Sequence, residues 1–238
     1  NPLCCVPGMM INFTTIDEKD DYIYVAVFSA PAPPVLRLIE DFSLRRLIRA
    51  IKALFMKCEI WRYDGSLWEE VAEKGFGKSN IVACSAAVLN NALYFGTGTK
   101  LGGEIWKTSD GENWTSIIRY GFGRPSNICM WWMHVYEDKL IVGTFNLLLG
   151  CQIWASTNNN PNNKTDFKQI NKNGMDGEKI GLFLPQQYGA RTFETFEGQL
   201  YVGTNSWIAT IQSDGLTPEY GGEVWRIDHL PDDLGENH

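Results

Sequence analysis

The chain has 238 residues, a net charge of −7 and 13% aromatic residues, enough for one large domain or two small ones around a substantial core. An acidic balance argues against a nucleic acid partner, because a phosphate backbone selects basic proteins. The six cysteines (4, 5, 58, 84, 129 and 151) lack CxxC, zinc or disulfide-scaffold spacing, and they read as free thiols buried as small hydrophobes.

The chain starts at Asn1 with neither a leader nor a run long enough to span a bilayer, which reads as a processed piece of something longer. "DEKDD" (17–21) lacks the spaced ligands of a calcium loop and reads as a solvated charge run. "YIYVAVFS" (22–29) predicts a strand. Residues 31–57 then predict an amphipathic helix, with Leu38, Ile39, Phe42, Ile48, Ile51, Leu54 and Phe55 at helical spacing. Arg45, Arg46, Arg49 and Lys52 fall on its other face and the segment carries about +4. Such a helix either packs on its own protein with a solvated basic side or docks on an anionic membrane or a partner.

From residue 58 onward the chain repeats itself. "CEIWRYDGSLWEEV" starts at Cys58, "GEIWKTSDGENWTSI" at Gly103, "CQIWAST" at Cys151 and "GEVWRID" at Gly222, placing Trp61, Trp106, Trp154 and Trp225 in register. A second element precedes each copy: "YIYVAVFS", "LYFGTGT" (93–99), "LIVGTFN" (140–146) and "LYVGTNS" (200–206). A third joins the units, "EKGFGKSNIVACSAAV" (73–88) matching "RYGFGRPSNICMWWMHV" (119–135), with "NKNGMDGEKI" (171–180) a degenerate version. Each unit reads as four short strands of β-branched and aromatic residues bounded by Gly, Asn and Asp. Four strands per roughly 45–50 residues predict an all-β fold, a β-propeller of about four blades in a single domain over 1–238, with 31–57 inserted in the first blade. The last unit lacks a clear fourth strand, so the propeller is either closed by the N-terminal segment or part of a larger one.

The turn between the third and fourth strands of a unit pairs an aspartate with a glycine and a tryptophan: Asp64, Gly65 and Trp68, then Asp110, Gly111 and Trp114. Aspartate accepts from the turn's own N–H groups, glycine supplies a positive φ, and the indole buries against the sheet. This pattern resembles the Asp-box (BNR) repeat of sialidase-like propellers, and the whole unit resembles tandem propeller repeats of secreted prokaryotic proteins. The resemblance covers about residues 58–226; it implies a propeller fold, an extracytoplasmic location and a structural role for the box. The third unit replaces the box with "STNNNPNNKTDF", which fits a structural element better than a catalytic one.

Strand parity places the insertions (29–57, 172–190 and 205–221) on one face, where elaborated loops on a rigid scaffold carry function. Trp131 in "CMWWMHV", Tyr188 and Arg191 in "QQYGARTF", and Trp207, Asp214 and Tyr220 are the candidate ligand-binding residues of that face. Alternation sends Trp131 and Trp132 to opposite sides of their sheet. His134 reads as a satisfied core histidine, since no second ligand lies at metal spacing. No P-loop, GxGxxG turn or Ser/His/Asp elbow is present, so no catalytic residue, cofactor or metal is assigned. Sequons at Asn12, Asn113 and Asn163 matter only where the source glycosylates them. The leading expectation is a non-catalytic propeller that recognises a glycan, protein or membrane-associated partner. The alternative is a sialidase-like glycoside hydrolase or lyase, with carboxylates drawn from Asp176, Glu178, Glu194 and Asp214.

Overall fold

The computed structural model describes residues 11–14, 22–27, 57–175, 177, 179–180, 184–206 and 222–231. They are nearly all β. Strands β1 (Ile11–Thr14), β2 (Ile23–Val27), β3 (Glu59–Tyr63) and β4 (Trp68–Glu70) pair in that order, each antiparallel to the next. The same four-strand order recurs in β5 (Val82–Leu89), β6 (Ala92–Gly98), β7 (Ile105–Thr108) and β8 (Thr115–Ile118). It recurs again in β9 (Cys129–Tyr136), β10 (Lys139–Phe145), β11 (Ile153–Ser156) and β12 (Phe167–Gln169). A small hairpin, β13 (Lys179–Ile180) and β14 (Leu184–Pro185), precedes the fourth unit of β15 (Gln187–Phe196), β16 (Gln199–Ser206) and β17 (Val224–Ile227). Single residue pairs, Gly98 with Cys129 and Phe145 with Gly189, link the second, third and fourth units edge to edge.

The core lies between units. Tyr24, Ala26 and Ile60 of the first meet Leu93, Phe95 and Trp106 of the second. Tyr94, Ile105 and Ile118 meet Met130, Leu140 and Val142 of the third, whose Ile141, Ile153 and Ala155 meet Phe193, Leu200 and Val202 of the fourth. Both faces of a central sheet are therefore apolar, which explains strands such as β6 that are buried along their whole length.

The four repeat tryptophans make the same hydrogen bond. Each indole Nε1 donates to the side chain two residues before it: Trp61 to Glu59 at 3.0 Å, Trp106 to Glu104 at 2.9 Å, Trp154 to Gln152 at 3.3 Å and Trp225 to Glu223 at 2.8 Å. An aromatic ring from the preceding linker covers two of them. Phe76 stacks on Trp106 at 4.6 Å and Phe122 on Trp154 at 4.3 Å, both nearly parallel. To present that ring the linker coils left-handed, with positive φ at Gly75, Phe76 and Gly77 and again at Gly121, Phe122 and Gly123. The degenerate third linker repeats the coil at Gly174, Met175 and Gly177. The linker asparagine closes the joint. Asn80 donates to the Gly75 carbonyl (3.1 Å) and to Glu104 (2.9 Å), and Asn127 donates to the Gly121 carbonyl (2.9 Å) and to Gln152 (2.7 Å). Glu104 is buried, and these donors satisfy a carboxylate that burial alone would penalise.

The aspartate turns form as expected. Asp64 accepts from the N–H groups of Ser66 and Leu67, and Asp110 from those of Glu112 and Asn113. Gly111 has φ +74°, and a Cβ there would lie 2.0 Å from the Tyr24 hydroxyl of the first unit, so glycine is required twice over. Trp114 donates from its indole to the Val71 carbonyl at 3.0 Å, stitching the second unit to the first. Trp68 departs from that arrangement: its ring stacks on Tyr63 of its own hairpin at 4.8 Å. In the third unit Asn163 and Asp166 cap one 3-10 turn, and Lys107 of the second unit donates to Asn160 and Asn162. Phe167 takes the place of Trp114, meeting Phe122 edge-on at 5.4 Å as Trp114 meets Phe76.

The cysteine expectation needs correction. Cys84 of β5 and Cys129 of β9 are disulfide-bonded across the seam between the second and third units. Their separation of 45 residues is one repeat, so the fold brings the two strands side by side. Cys58 and Cys151 are free, and burial pushes each thiol up to about 12, which leaves them inert. Cys4, Cys5 and the basic segment with Arg45, Arg46, Arg49 and Lys52 lie outside the described residues.

Candidate functional site

The inner strands β5, β9 and β15 carry a bulge at the same repeat position. Cys84 is the extra residue between Ala83 and Ser85, which pair with Thr97 and Gly96. Trp131 stands between Met130 and Trp132, paired with Thr144 and Gly143, and Arg191 between Ala190 and Thr192, paired with Thr204 and Gly203. A glycine followed by threonine faces every bulge. Two residues against one break strict alternation and turn neighbouring side chains toward the same side. Trp131 and Trp132 consequently do not face opposite sides of the sheet as their positions predict. The Arg191 guanidinium lies over both rings, 5.1 Å from one centroid and 5.9 Å from the other.

Around this pair an aromatic platform assembles between the third and fourth units. Phe145, at the end of β10, meets Trp131 edge-on at 4.6 Å, and Tyr188 lies nearly parallel to Trp131 at 6.4 Å. Phe145 also meets Tyr188 edge-on at 5.5 Å. Trp131 rests on Gly189, where an added Cβ would fall 2.2 Å from its ring. Tyr188 is buried, while Trp131, Trp132, Phe145 and Arg191 are half-buried. The platform combines apolar ring faces with one cation, and its ring and cation contacts include no carboxylate.

The structure thus brings together Trp131, Tyr188 and Arg191, three of the sequence-predicted residues. All three stand at the starts of inner strands, the end of the sheets from which Ser206 leads into the last insertion. Trp207, Asp214 and Tyr220, with the carboxylate candidates Asp176 and Glu178, lie outside the described residues. Glu194 is exposed further along β15. Beside it, His134 Nε2 sits 2.8 Å from Thr195 Oγ1, and burial lowers its pKa while the Glu194 charge opposes the shift. His134 is satisfied, as expected. The Asp-turn residues lie at the opposite end of the sheets and join no part of the platform.

Grooves flank the units among the described residues. One of about 350 Å³ opens on the platform's end of the sheets, lined by Lys78, Asn80, Thr99, Glu104 and Tyr120. Another of about 450 Å³ lies between the third and fourth units beside Met175 and Trp225. A further groove, about 600 Å³, is acidic and borders the Asp110 turn through Glu69, Glu70, Glu73 and Glu112. No group of metal-ligating side chains occurs among the described residues.

Phe145 and Gly189 escaped the sequence reading. The signal for Phe145 was the Gly143–Thr144 pair just before it, and for Gly189 its own place inside a strand, because glycine in a strand marks a bulge or a close backbone approach.

No protein-family model and no curated protein matches the chain. Among solved structures, an α-L-arabinofuranosidase from Clostridium thermocellum aligns at TM-score 0.48 and 11% identity, over 93% of this chain and 69% of that one. Trypanosoma rangeli sialidase, in complex with the inhibitor DANA, aligns at 0.46 and 12%, over 95% and 36%. An ulvan lyase of polysaccharide lyase family 25 aligns at 0.41 and 15%, over 91% and 54%. Each TM-score is below 0.5, and no site residue is carried over from these proteins.

Proposed function

We propose that the chain is a β-propeller of about four blades that binds a glycan, without catalysis, on its insertion-bearing face. Trp131, Tyr188 and Arg191 supply the floor, and Trp207, Asp214 and Tyr220 are the further candidates that the sequence offers. One observation carries this reading: equivalent seams are built differently. Between the second and third units the two facing repeat positions hold Cys84 and Cys129, a covalent tie. Between the third and fourth the same positions hold Trp131 and Gly189, with Arg191 above. A seam that needed only stability would be served by the apolar packing found elsewhere. Half-buried indoles and a cation instead offer a flat apolar surface for the C–H face of a sugar ring, with polar donors beside it.

The test is equilibrium binding of the whole chain to a broad panel of oligosaccharides. Trp131→Ala is expected to weaken any bound glycan about tenfold or more, the loss usual for a central aromatic anchor. A panel without binding, or unchanged affinity in the variant, overturns the proposal.

The second reading is a sialidase-like glycoside hydrolase or lyase, the classes for which the solved structures above are named. It requires two carboxylates about 5–10 Å apart or a base beside the bound sugar. Asp176, Glu178, Glu194 and Asp214 are its candidates. New reducing ends or unsaturated products on incubation with the panel would favour this reading over binding alone.

A further inference from the structure

We infer that the insertion-bearing end of the sheets docks on an anionic lipid surface, with exposed leucines entering the headgroup layer and basic residues meeting its negative charge. The residues involved are not those of the aromatic platform, and the inference does not depend on the glycan reading. Charge divides the molecule along its strands. Among the described residues, the loops at the aspartate-turn end carry Asp64, Asp110, Glu112, Glu137, Asp138 and Glu197, with Lys164 the one lysine or arginine in them. The loops at the insertion end carry Lys100, Arg119, Arg124 and Lys172, all exposed. Carboxylates at that end turn inward: Glu59, Glu104 and Glu223 accept from the indoles of Trp61, Trp106 and Trp225, while Glu73 is exposed. Residues 31–57, which join β2 to β3 at the same end, add about +4. A chain of net charge −7 thus presents one basic end, which orients it toward a negative surface.

The same end gathers exposed apolar side chains. Of the nine large ones exposed among the described residues, five form one row here: Tyr120, Leu101, Ile128, Leu148 and Leu149. Leu101 and Tyr120 line one groove with Arg119. The Thr99 N–H donates to the Ile128 carbonyl at 2.9 Å, and the Ile128 N–H to the Phe145 carbonyl at 3.1 Å. Asn146 then bonds Ser126 at 3.1 Å and accepts from the N–H groups of Leu148 and Leu149. The leucines occupy matching loops, "TKLGG" (99–103) and "NLLLG" (146–150), between the second and third strands of their units. Each loop satisfies its backbone with its own first side chain, as Thr99 Oγ1 does for the Leu101 N–H at 3.0 Å, and leaves leucine at the surface. Leu101 is 62% exposed and Leu148 66%. Single exposed leucines are ordinary; a row of them within a basic rim is not. Protein interfaces deplete lysine, whereas the boundary layer of an anionic bilayer accepts leucine, tyrosine and basic residues side by side. The mixture therefore fits lipid better than a protein partner.

Flotation of the whole chain with lipid vesicles is the test, using phosphatidylcholine alone and phosphatidylcholine with about 30% phosphatidylserine in about 100 mM NaCl. Binding to the anionic vesicles is expected to be about tenfold or more tighter, and to fall several-fold when NaCl is raised to about 500 mM. Two variants leave both 31–57 and the platform untouched. Leu101→Ser with Leu148→Ser should weaken anionic binding about tenfold, as two leucines lose their place in the lipid. Lys100→Glu with Arg119→Glu and Arg124→Glu should weaken it by about fivefold for each cation lost, and more through repulsion. All five altered residues are exposed, and circular dichroism checks that both variants fold. Equal binding to the two kinds of vesicle, or none to either, overturns the inference. So does anionic binding that survives unchanged in either variant, since attachment then belongs to residues 31–57 or elsewhere. A dimer in sedimentation velocity without lipid, dissolved by the leucine changes, would give this face to a second copy and is likewise a refutation. The oligosaccharide panel is read without vesicles, so the glycan reading stands or falls separately.

Discussion

Gly189→Ala probes the platform without touching its functional groups. The new methyl would sit 2.2 Å from Trp131 Cζ3 and 2.6 Å from Cε3, against an ordinary carbon–carbon contact of about 3.5–4.0 Å. The indole must shift by more than 1 Å, roughly the difference between those distances. It has little room, with Phe145 edge-on at 4.6 Å and Arg191 at 5.1 Å. Overpacking of this kind costs about 1–3 kcal/mol. Gly189 does not have a positive φ, so alanine fits its backbone and gains about 0.4–1 kcal/mol by restricting the unfolded chain. The expected net loss is about 1–2 kcal/mol. In a Trp131→Ala background the clash is gone and only the gain is left, so the sign should reverse to a slight stabilisation. Urea unfolding followed by circular dichroism, on the two single variants and the double, gives a coupling of about 1–3 kcal/mol. Equal costs in both backgrounds, with coupling below about 0.5 kcal/mol, would refute the proposed contact.

Phe122→Ala removes a buried ring stacked on Trp154 and edge-on to Phe167, and should cost about 3–5 kcal/mol in the same assay. A loss under about 1 kcal/mol would mean the linker ring is not part of the core. Asp110 is held well below the usual carboxylate range, first by the Asn113 side chain and then by the N–H groups of Asn113 and Glu112. With its folded pKa below the unfolded one, its stabilisation is complete above about pH 4 and is lost as pH falls further. Exposed and screened by solvent, it contributes under about 1 kcal/mol. The stability difference between the natural chain and Asp110→Asn should therefore shrink from about pH 6 to pH 2; a constant difference sinks the hydrogen-bonded-carboxylate account.

The scaffold was legible where a residue's role is local or repeats. The strand–turn–strand pattern, the Asp110 turn and the Gly-Phe-Gly linker follow from side-chain period and from a few special φ values. The joint that holds units together was half visible. Glu or Gln stands two residues before every repeat tryptophan and Asn before two inner strands, yet nothing in one copy says that the next copy supplies the acceptor. Trp131 and Arg191 were singled out, but their contact was not, because strict alternation assumes an unbroken ladder. The bulge opposite Gly143 and Thr144 breaks it. Cys84 and Cys129 were missed for a related reason. Their spacing is that of the repeat, which becomes proximity only once the inner strands stand side by side.

Repetition also separates scaffold from site on physical grounds. Where a role is structural, a unit that loses one solution finds another with the same contacts. The third unit lacks the aspartate turn, yet Phe167 meets Phe122 as Trp114 meets Phe76, and Lys107 holds the replacement loop. At the inner bulge one position carries three chemistries: a disulfide to the next unit, an indole resting on the next unit's glycine, and a guanidinium lying over the indoles of the unit before it. Packing demands alone would have driven these three positions toward one chemistry, as they drove the four repeat tryptophans. Their divergence falls at the end of the sheets that bears the long insertions, and the proposed glycan site rests on it.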